Sequence, residues 1–229
     1  MKLILFDGYG TLFDQAMETL YKTCQVVVDD LQLEMTREAF LDHWDRYFFP
    51  MIREGEFMTF WDAHVIGLNR VFDDLDVHGH AEGYVKALFD TFGRVPIYQD
   101  VNPTLQALRD VKTGVVSNAD HGHLTSALAT NDLVFEVVVS SESARCYKPN
   151  ADIFFEALQQ FDCKPEDALY VGDSQEDDIV GARRAGLKIA WLNRDGVARR
   201  ETTPKPDYEI DSLAGLVDII NREGKYPSP

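Results

Sequence analysis

The chain has 229 residues, enough for one sizeable hydrophobic core with or without a smaller inserted unit. Its formal net charge is −17, and so acidic a surface disfavours nucleic acid and anionic membranes as partners. No apolar run approaches the roughly 20 residues that span a bilayer. The N-terminal run has the character of a strand rather than of a signal peptide. We therefore expect a cytoplasmic protein, a monomer or homodimer, that binds neither nucleic acid nor membrane.

Five short apolar runs, rich in Val, Ile and Leu, are typical of buried parallel strands. They cover residues 3–6, 113–116, 134–139, 168–171 and 187–192. Helical patterns accompany the later runs, at residues 105–109, 121–130, 151–160 and 179–185. This alternation predicts an α/β fold with a Rossmann-like, doubly wound parallel sheet.

The interval between the first and second strands has a different character, because it contains no convincing strand. Its helical patterns cover residues 17–31, 37–53, 57–75 and 80–92. We predict an inserted α-helical cap over residues 15–96 and a core built from residues 1–14 and 97–229. Residues 226–229 are expected to form a frayed tail.

Four polar motifs lie at or just after the ends of predicted strands. The first is Asp7-Gly8-Tyr9-Gly10-Thr11, and the second is Ser117-Asn118. The third is Lys148 before Pro149, and the fourth runs from Gly172-Asp173-Ser174 to Asp178. A carboxylate at a strand end is a candidate nucleophile. Two such carboxylates suit a hard divalent cation, and a lysine beside them neutralises charge on a bound anion.

These motifs, in this order, resemble those of the haloacid dehalogenase superfamily over residues 1–14 and about 98–216. The resemblance implies that Asp7 is a nucleophile that forms a covalent aspartyl intermediate. It also implies that Thr11 and Ser117 bind the transferred group, that Asn118 supports that site, and that Lys148 balances its charge.

The same resemblance implies a magnesium site. Asp173 would hold Mg²⁺ together with Asp7 and the backbone carbonyl of Tyr9. Asp178 would support either the water shell of the metal or Lys148.

The residue two positions after the proposed nucleophile departs from the phosphatase pattern. Phosphatases of the family carry there an aspartate that acts as general acid and base, whereas this chain has Tyr9. A phenol with an ordinary pKa of about 10 is a poor base near neutrality, and losing such a group costs roughly 10²- to 10⁴-fold in rate. The pattern Asp-x-Tyr-Gly-Thr resembles the family's L-2-haloacid dehalogenases, in which halide leaves carbon without a proton.

Three other positions depart from the dehalogenase pattern. Gly172-Asp173-Ser174 resembles the metal-binding form of the phosphatases, and Phe154 stands where the dehalogenases carry tyrosine. The residue after Trp44 is Asp45 rather than an arginine that cradles halide and carboxylate. The arginines that would replace it are Arg46, Arg53 and Arg37.

The combination favours a Mg²⁺-dependent phosphatase acting on a small phosphorylated metabolite. One alternative is a metal-independent 2-haloacid dehalogenase, and another is a weakly active or non-catalytic binding protein. His121 and His123 follow the second motif and are either loop residues or substitutes for the missing acid. The aromatic residues between positions 44 and 61 are expected mainly to pack helices, with one or two of them lining a pocket under the cap.

Overall fold

The computed structural model describes residues 2–222. The predicted tail at residues 226–229, and with it the end of the predicted core segment, lies outside the described residues. Six strands form one parallel sheet of order β3-β2-β1-β4-β5-β6. The strands are β1 (Leu3–Phe6), β2 (Lys112–Ser117), β3 (Val137–Ser140), β4 (Ala168–Gly172), β5 (Lys188–Leu192) and β6 (Tyr208–Ile210).

Ten α-helices accompany this sheet in the described part of the chain. Four of them precede β2 as a consecutive group: α1 (Ala16–Asp30), α2 (Arg37–Glu54), α3 (Phe60–Asp74) and α4 (Ala81–Phe92). The others are α5 (Val101–Ala107), α6 (His121–Thr130), α7 (Ser141–Ala144), α8 (Asp152–Gln160), α9 (Val180–Arg184) and α10 (Gly215–Arg222). A single π-helical turn, Gln175–Ile179, leads into α9.

Both faces of the sheet are covered by helices, because alternate side chains of each buried strand point to opposite sides. Ile4 and Phe6 of β1 belong to a hydrophobic cluster with residues of α5, α6 and α10. Leu3 and Leu5 belong to a second cluster with residues of α8 and α9. The predicted α/β, doubly wound fold is therefore confirmed.

Helices α1 to α4 bury their apolar faces against one another around a third cluster, which includes Val27, Phe40, Leu68 and Leu88. Threonine caps fix where two of these helices begin. The hydroxyl of Thr59, for example, accepts a hydrogen bond of 3.0 Å from the backbone N–H of Asp62. This cap explains why α3 begins at Phe60 although the helical pattern starts three residues earlier.

Three details of the predicted elements were wrong. Strand β3 begins at Val137, because Val134 is solvent-exposed in the irregular segment between α6 and β3. Helix α5 covers Val101–Ala107 rather than residues 105–109. Strand β6 was missed, because its three residues have no apolar run and are identified only by pairing with β5. No helix in residues 2–222 is long and apolar enough to cross a membrane.

Candidate active site

Register brings the polar motifs to one edge of the sheet. Phe6, the last residue of β1, pairs with Val115 of β2 on one side and with Val171 of β4 on the other. Asp7 thus emerges between the ends of β2 and β4, which are followed by the second and fourth motifs. This edge is where ligands bind in open α/β sheets.

Lys148 is the centre of a buried hydrogen-bond network. Its Nζ donates to Asp7 Oδ1 at 2.6 Å and to Asp178 Oδ1 at 2.7 Å. The same ammonium lies 2.9 Å from the hydroxyl of Tyr170. Burial acts to lower the pKa of Lys148, but Asp178 and Asp7 outweigh it and the pKa is raised. Lys148 is therefore a permanent cation beside the proposed nucleophile.

Asp178 is held on both of its oxygens. Oδ1 faces Lys148 and also lies 3.0 Å from the hydroxyl of Tyr170, while Oδ2 accepts a hydrogen bond of 2.8 Å from the backbone N–H of Ser174. Gly172 makes this position possible, because a Cβ there would lie 2.3 Å from Asp178 Cγ. Of the two roles considered for Asp178, these contacts favour the support of Lys148.

Asp173 follows β4 and contacts the first motif. Its Oδ1 accepts a hydrogen bond of 3.1 Å from the Thr11 hydroxyl, and its backbone carbonyl accepts one of 2.8 Å from Trp191 Nε1. The carboxylate passes directly over Gly10, where a Cβ would lie 2.6 Å from Oδ1. Gly10 also has a φ of 95°, a conformation that favours glycine.

The three acidic groups have the composition of a divalent-cation site. Carboxylate oxygens of Asp7, Asp173 and Asp178 all lie within 4.8 Å of one another. Burial raises the pKa of Asp7 to about 6, and burial together with the charge of Asp7 raises the pKa of Asp173 to about 8. One ammonium does not balance this charge. An all-oxygen donor set that needs a further cation fits Mg²⁺.

The two residues of the second motif act on different partners. The hydroxyl of Ser117 donates to Asp7 Oδ1 at 3.2 Å. The side-chain amide of Asn118 accepts from the backbone N–H of Lys148 at 2.8 Å and donates to its carbonyl at 3.2 Å. Asn118 thus fixes the backbone that carries Lys148, which precedes a cis peptide bond to Pro149.

The hydroxyl of Tyr9 is engaged with the backbone of α4. Its hydroxyl donates a hydrogen bond of 3.3 Å to the carbonyl of Phe92, and its ring packs against Phe13 and Phe92. Burial, and secondarily the charge of Asp7, raises the pKa of Tyr9 above its ordinary value. A hydroxyl in this position does not replace the missing carboxylic acid.

A cavity of about 850 Å³ opens between the helices α1 to α4 and the sheet edge. Its lining includes Asp173 and Asn118 from the motifs, together with His64 and His123. The Nδ1 atoms of both histidines are buried without a hydrogen-bond partner among the described residues. The cavity is large enough for a small-molecule ligand.

A family model described as haloacid dehalogenase-like hydrolase matches residues 1–186. The chain belongs to the haloacid dehalogenase-like hydrolases. The resemblance predicted from the four motifs is thereby confirmed at the level of the family.

Relatives of this hydrolase include both phosphatases and dehalogenases. It is 36% identical over 150 residues to glyceraldehyde 3-phosphate phosphatase of Methanopyrus kandleri, a match that spans 62% of this chain and only 64% of that protein. It is 26% identical over 233 residues to haloacetate dehalogenase H-2 of Moraxella sp. (strain B), spanning 96% and 98% of the two chains. A crystal structure of an L-2-haloacid dehalogenase superposes with a TM-score of 0.80 at 20% identity, covering 96% of this chain and 99% of the other.

The three arginines considered as halide or carboxylate ligands in this hydrolase have other contacts. Arg46 is exposed, and Arg37 makes ion pairs with Glu18 and Glu38. Arg53 pairs with Glu176 at 3.0 Å and with Asp177 at 3.5 Å. None of the three lines the cavity in the described residues.

The histidines and aromatic residues of the hydrolase divide between packing and the cavity. His123 lines the cavity, whereas His121 does not and lies 3.5 Å from the hydroxyl of Ser140. Of the aromatic residues between positions 44 and 61, four belong to the helix cluster and also line the cavity: Trp44, Phe48, Phe49 and Phe60.

Sequence reasoning missed three residues of the hydrolase site. Tyr170 was assigned only to a buried strand, although a phenol there needs a polar partner. Asp120 accepts hydrogen bonds of 2.6 and 2.9 Å from the backbone N–H groups of Phe60 and Trp61, which tie α3 to the sheet edge. Arg194 follows β5 at the same edge as the motifs, and this position was the signal that could have identified it.

Proposed function

We propose that the protein is a Mg²⁺-dependent phosphatase that acts on a small phosphorylated metabolite through an aspartyl-enzyme intermediate. The observation that carries this proposal is the group of three carboxylates within 4.8 Å of one another around one buried lysine. A metal-free displacement of halide gives no role to Asp173, which contributes the third carboxylate of the group. The closeness of its oxygens to those of Asp7 supports a site for a cation beside a phosphoryl group.

Asp7 and Asp173, with the backbone carbonyl of Tyr9, are the groups that would hold Mg²⁺. When bound, the ion supplies positive charge beside the phosphoryl oxygens. The Lys148 ammonium balances the charge of Asp7 from the other side, and Thr11 and Ser117 offer hydroxyl groups to the phosphoryl oxygens. Asp178, Tyr170 and Asn118 keep Lys148 in place.

The proposed chemistry has two displacements. A carboxylate oxygen of Asp7 forms a bond to phosphorus as the bond to the leaving oxygen breaks, and water then hydrolyses the aspartyl phosphate. The leaving oxygen takes its proton from the substrate, from water or from His123, which lines the cavity, because the Tyr9 hydroxyl donates its hydrogen bond to the Phe92 carbonyl. A substrate with a good leaving group suits this arrangement.

We further propose that residues 15–96 form a cap over the core segments 1–14 and 97–229. The supporting contacts are those of Asp120 with the start of α3, of the Tyr147 hydroxyl with the Met58 carbonyl at 3.1 Å, and of Arg53 with Glu176. A cytoplasmic location and a monomeric or homodimeric state belong to the same proposal.

The second candidate function is the hydrolysis of 2-haloacids, and the specific observation in its favour is Tyr9. Halide leaves carbon without taking up a proton. Dehalogenation therefore does not need the general acid that is missing at position 9. The relative from Moraxella sp., named a haloacetate dehalogenase, matches over nearly the whole chain. The contacts of Arg37 and Arg53 with acidic residues weaken this candidate, since a 2-haloacid carboxylate needs a cation.

One assay separates the two candidates. Phosphate release from an aryl phosphate is measured with and without Mg²⁺, and halide release from short 2-haloacids is measured on the same preparation. The proposal expects Mg²⁺-dependent phosphate release that Asp7→Asn and Asp173→Asn abolish. Asp110→Asn, at an exposed position just before the start of β2 and so at the opposite end of that strand from Ser117, is the matched control. Halide release without metal, and no phosphate release, would overturn the proposal.

A further inference from the structure

The cavity wall is acidic as well as aromatic. Besides Asp173, its acidic lining residues are Asp14, Glu18, Asp45, Asp120, Asp177 and Asp195. Arg194 is the one basic residue among the lining residues in the described chain. A wall of this composition attracts cations and repels a second anionic group on a ligand.

The Lys and Arg side chains near the cavity are already paired with carboxylates of the protein. Arg194 makes a bidentate pair with Asp100 at 2.8 and 3.0 Å, and its guanidinium stacks on the ring of Tyr98. Arg53 pairs with Glu176 and Asp177, and Lys148 is shared by Asp7 and Asp178. A carboxylate or second phosphate on the organic part of a substrate therefore finds no uncommitted Lys or Arg side chain among the described residues that line the cavity.

Asp45, by contrast, is a charged group of the cavity wall that is not paired within residues 2–222. It lies on α2, half-buried, and lines the cavity. It makes no hydrogen bond or ion pair with any residue that the structure describes. Burial and the neighbouring Asp42 raise the pKa of Asp45 to about 6 against a smaller opposing effect of the Arg53 charge, so Asp45 is ionised in a mildly alkaline assay. An ionised, partly desolvated carboxylate without a partner favours a ligand that carries positive charge.

A second unsatisfied group lies in the same wall. His64 is only 6% exposed and lines the cavity, and its Nδ1 is buried with no hydrogen-bond partner among the described residues. Its ring lies between those of Phe48 and Phe60, at centroid distances of 4.3 and 4.7 Å. Buried polar atoms normally have a partner, so a ligand is the expected source of one. The aromatic faces of Phe48 and Phe60, which line the same cavity as Asp45, also suit an ammonium group.

We propose that the enzyme selects phosphomonoesters whose organic part is apolar and ends in an ammonium group that binds Asp45, and that it excludes those with a second anionic group. This inference rests on the proposed phosphatase function. The phosphoryl group lies at Asp7 and Lys148, and the organic part extends along the aromatic wall of α2 and α3. Asp45 is thus a specificity-determining residue rather than part of the chemistry.

The test compares three aryl monophosphates of matched size and similar phenolate leaving group in the presence of Mg²⁺ at pH near 8: 4-(2-aminoethyl)phenyl phosphate, 4-propylphenyl phosphate and 4-(carboxymethyl)phenyl phosphate. We expect kcat/KM to be at least about tenfold higher for the ammonium than for the carboxylate compound, with the uncharged one between them. Asp45→Asn removes most of this difference, mainly by raising KM for the ammonium compound. Asp42→Asn, an exposed aspartate on the same helix, keeps it.

A second measurement does not depend on turnover. Pentylammonium and pentanoate are added to the wild-type protein, and the midpoint of thermal unfolding is followed. We expect only pentylammonium to raise it, and Asp45→Asn to abolish that rise. Phosphate release at equal kcat/KM from all three esters would overturn this inference and leave the phosphatase proposal standing. Absence of phosphate release from every ester, with the pentylammonium shift present, would overturn the phosphatase proposal alone.

If Asp45→Asn does not fold, the wild-type protein still decides the question. Turnover of the carboxylate ester as fast as of the ammonium ester, or a thermal shift with pentanoate equal to that with pentylammonium, contradicts the inference.

Discussion

The ammonium of Lys148 lies 2.7 Å from Asp178 Oδ1, in an ion pair whose two side chains are 3% and 1% exposed. The sequence separates these residues by 30 positions, and the structure joins them behind Asp7. A buried ion pair contributes little net stability by itself, but removing one member leaves an uncompensated charge in a poorly solvated site. The pair therefore holds the lysine in a single position.

Lys148→Met is predicted to lower the free energy of unfolding by about 3–5 kcal/mol, because it leaves Asp7 and Asp178 buried without their cation. Hydrolysis is expected to be lost as well. Denaturant unfolding in the presence of a chelator measures the stability change without interference from metal binding. The matched control is Lys86→Met, which removes an equally short ion pair, 2.6 Å from Asp90, on the exposed surface of α4. We expect no measurable change there, and equal effects of the two substitutions would contradict the prediction.

Gly10→Ala is predicted to damage the site without removing any of its functional groups. The new Cβ would lie 2.6 Å from Asp173 Oδ1, and the backbone there has a φ of 95°. A non-glycine residue in a sparsely populated backbone conformation costs about 1–3 kcal/mol. We therefore expect a lower thermal midpoint and a weaker dependence of activity on Mg²⁺, because Asp173 must move.

The control for this substitution is Gly122→Ala on α6, where a Cβ has nothing within 4 Å. Alanine is the better helix former, so we expect stability to be unchanged or raised by up to about 1 kcal/mol. Mg²⁺ titrations of phosphate release and thermal unfolding of both variants check the prediction. A Gly10→Ala enzyme with the wild-type Mg²⁺ midpoint would show that Asp173 is not a ligand.

Elements whose own residues show an apolar run or a helical period were predicted from the sequence. Elements defined only by contacts with distant residues were not. The strand at Leu3–Phe6 was placed correctly because an apolar run ends abruptly at Asp7. The strand at Tyr208–Ile210 was missed because its middle residue is exposed, and only its pairing with Ala190–Leu192 defines it. Helix periodicity placed α1 to α4 to within a few residues, since each of them has an apolar face.

The residues of the site divide in the same way, between those placed by strand ends and those placed by tertiary contacts. The topology of a parallel sheet brought Asp7, Ser117 and Asp173 together, and this was predictable from strand ends alone. Lys148 was one of the two partners predicted for Asp178, but the choice between them was not predictable, because a carboxylate in the first turn of a helix can point in several directions. The engagement of Arg53 with Glu176, which leaves the cavity without that cation, depends on how α2 lies on the core. Tertiary contacts of this kind leave no periodic trace in the sequence.

His64 gives a prediction about pH. Burial lowers its pKa to about 3, against an ordinary value near 6.5 in the unfolded chain. As pH falls below 6.5, the unfolded chain binds this proton and the folded protein does not, so the proton favours unfolding. The contribution of His64 to stability is therefore complete above pH 6.5 and declines steadily towards pH 3. At pH 5 the decline amounts to about 2 kcal/mol.

His64→Leu removes the titrating group while keeping an apolar side chain of similar size among Phe48, Phe60 and Phe89. We expect the free energy of unfolding of this variant, relative to that of wild type, to rise by about 2 kcal/mol between pH 7 and pH 5, because only wild type loses stability there. Denaturant unfolding at several pH values checks this, with His78→Leu at an exposed position as the control that follows wild type. Parallel pH profiles for wild type and His64→Leu would mean that the buried imidazole takes up a proton in the folded protein. In that case the cavity wall would gain a positive charge in acid, and the preference for an ammonium group would weaken as pH falls.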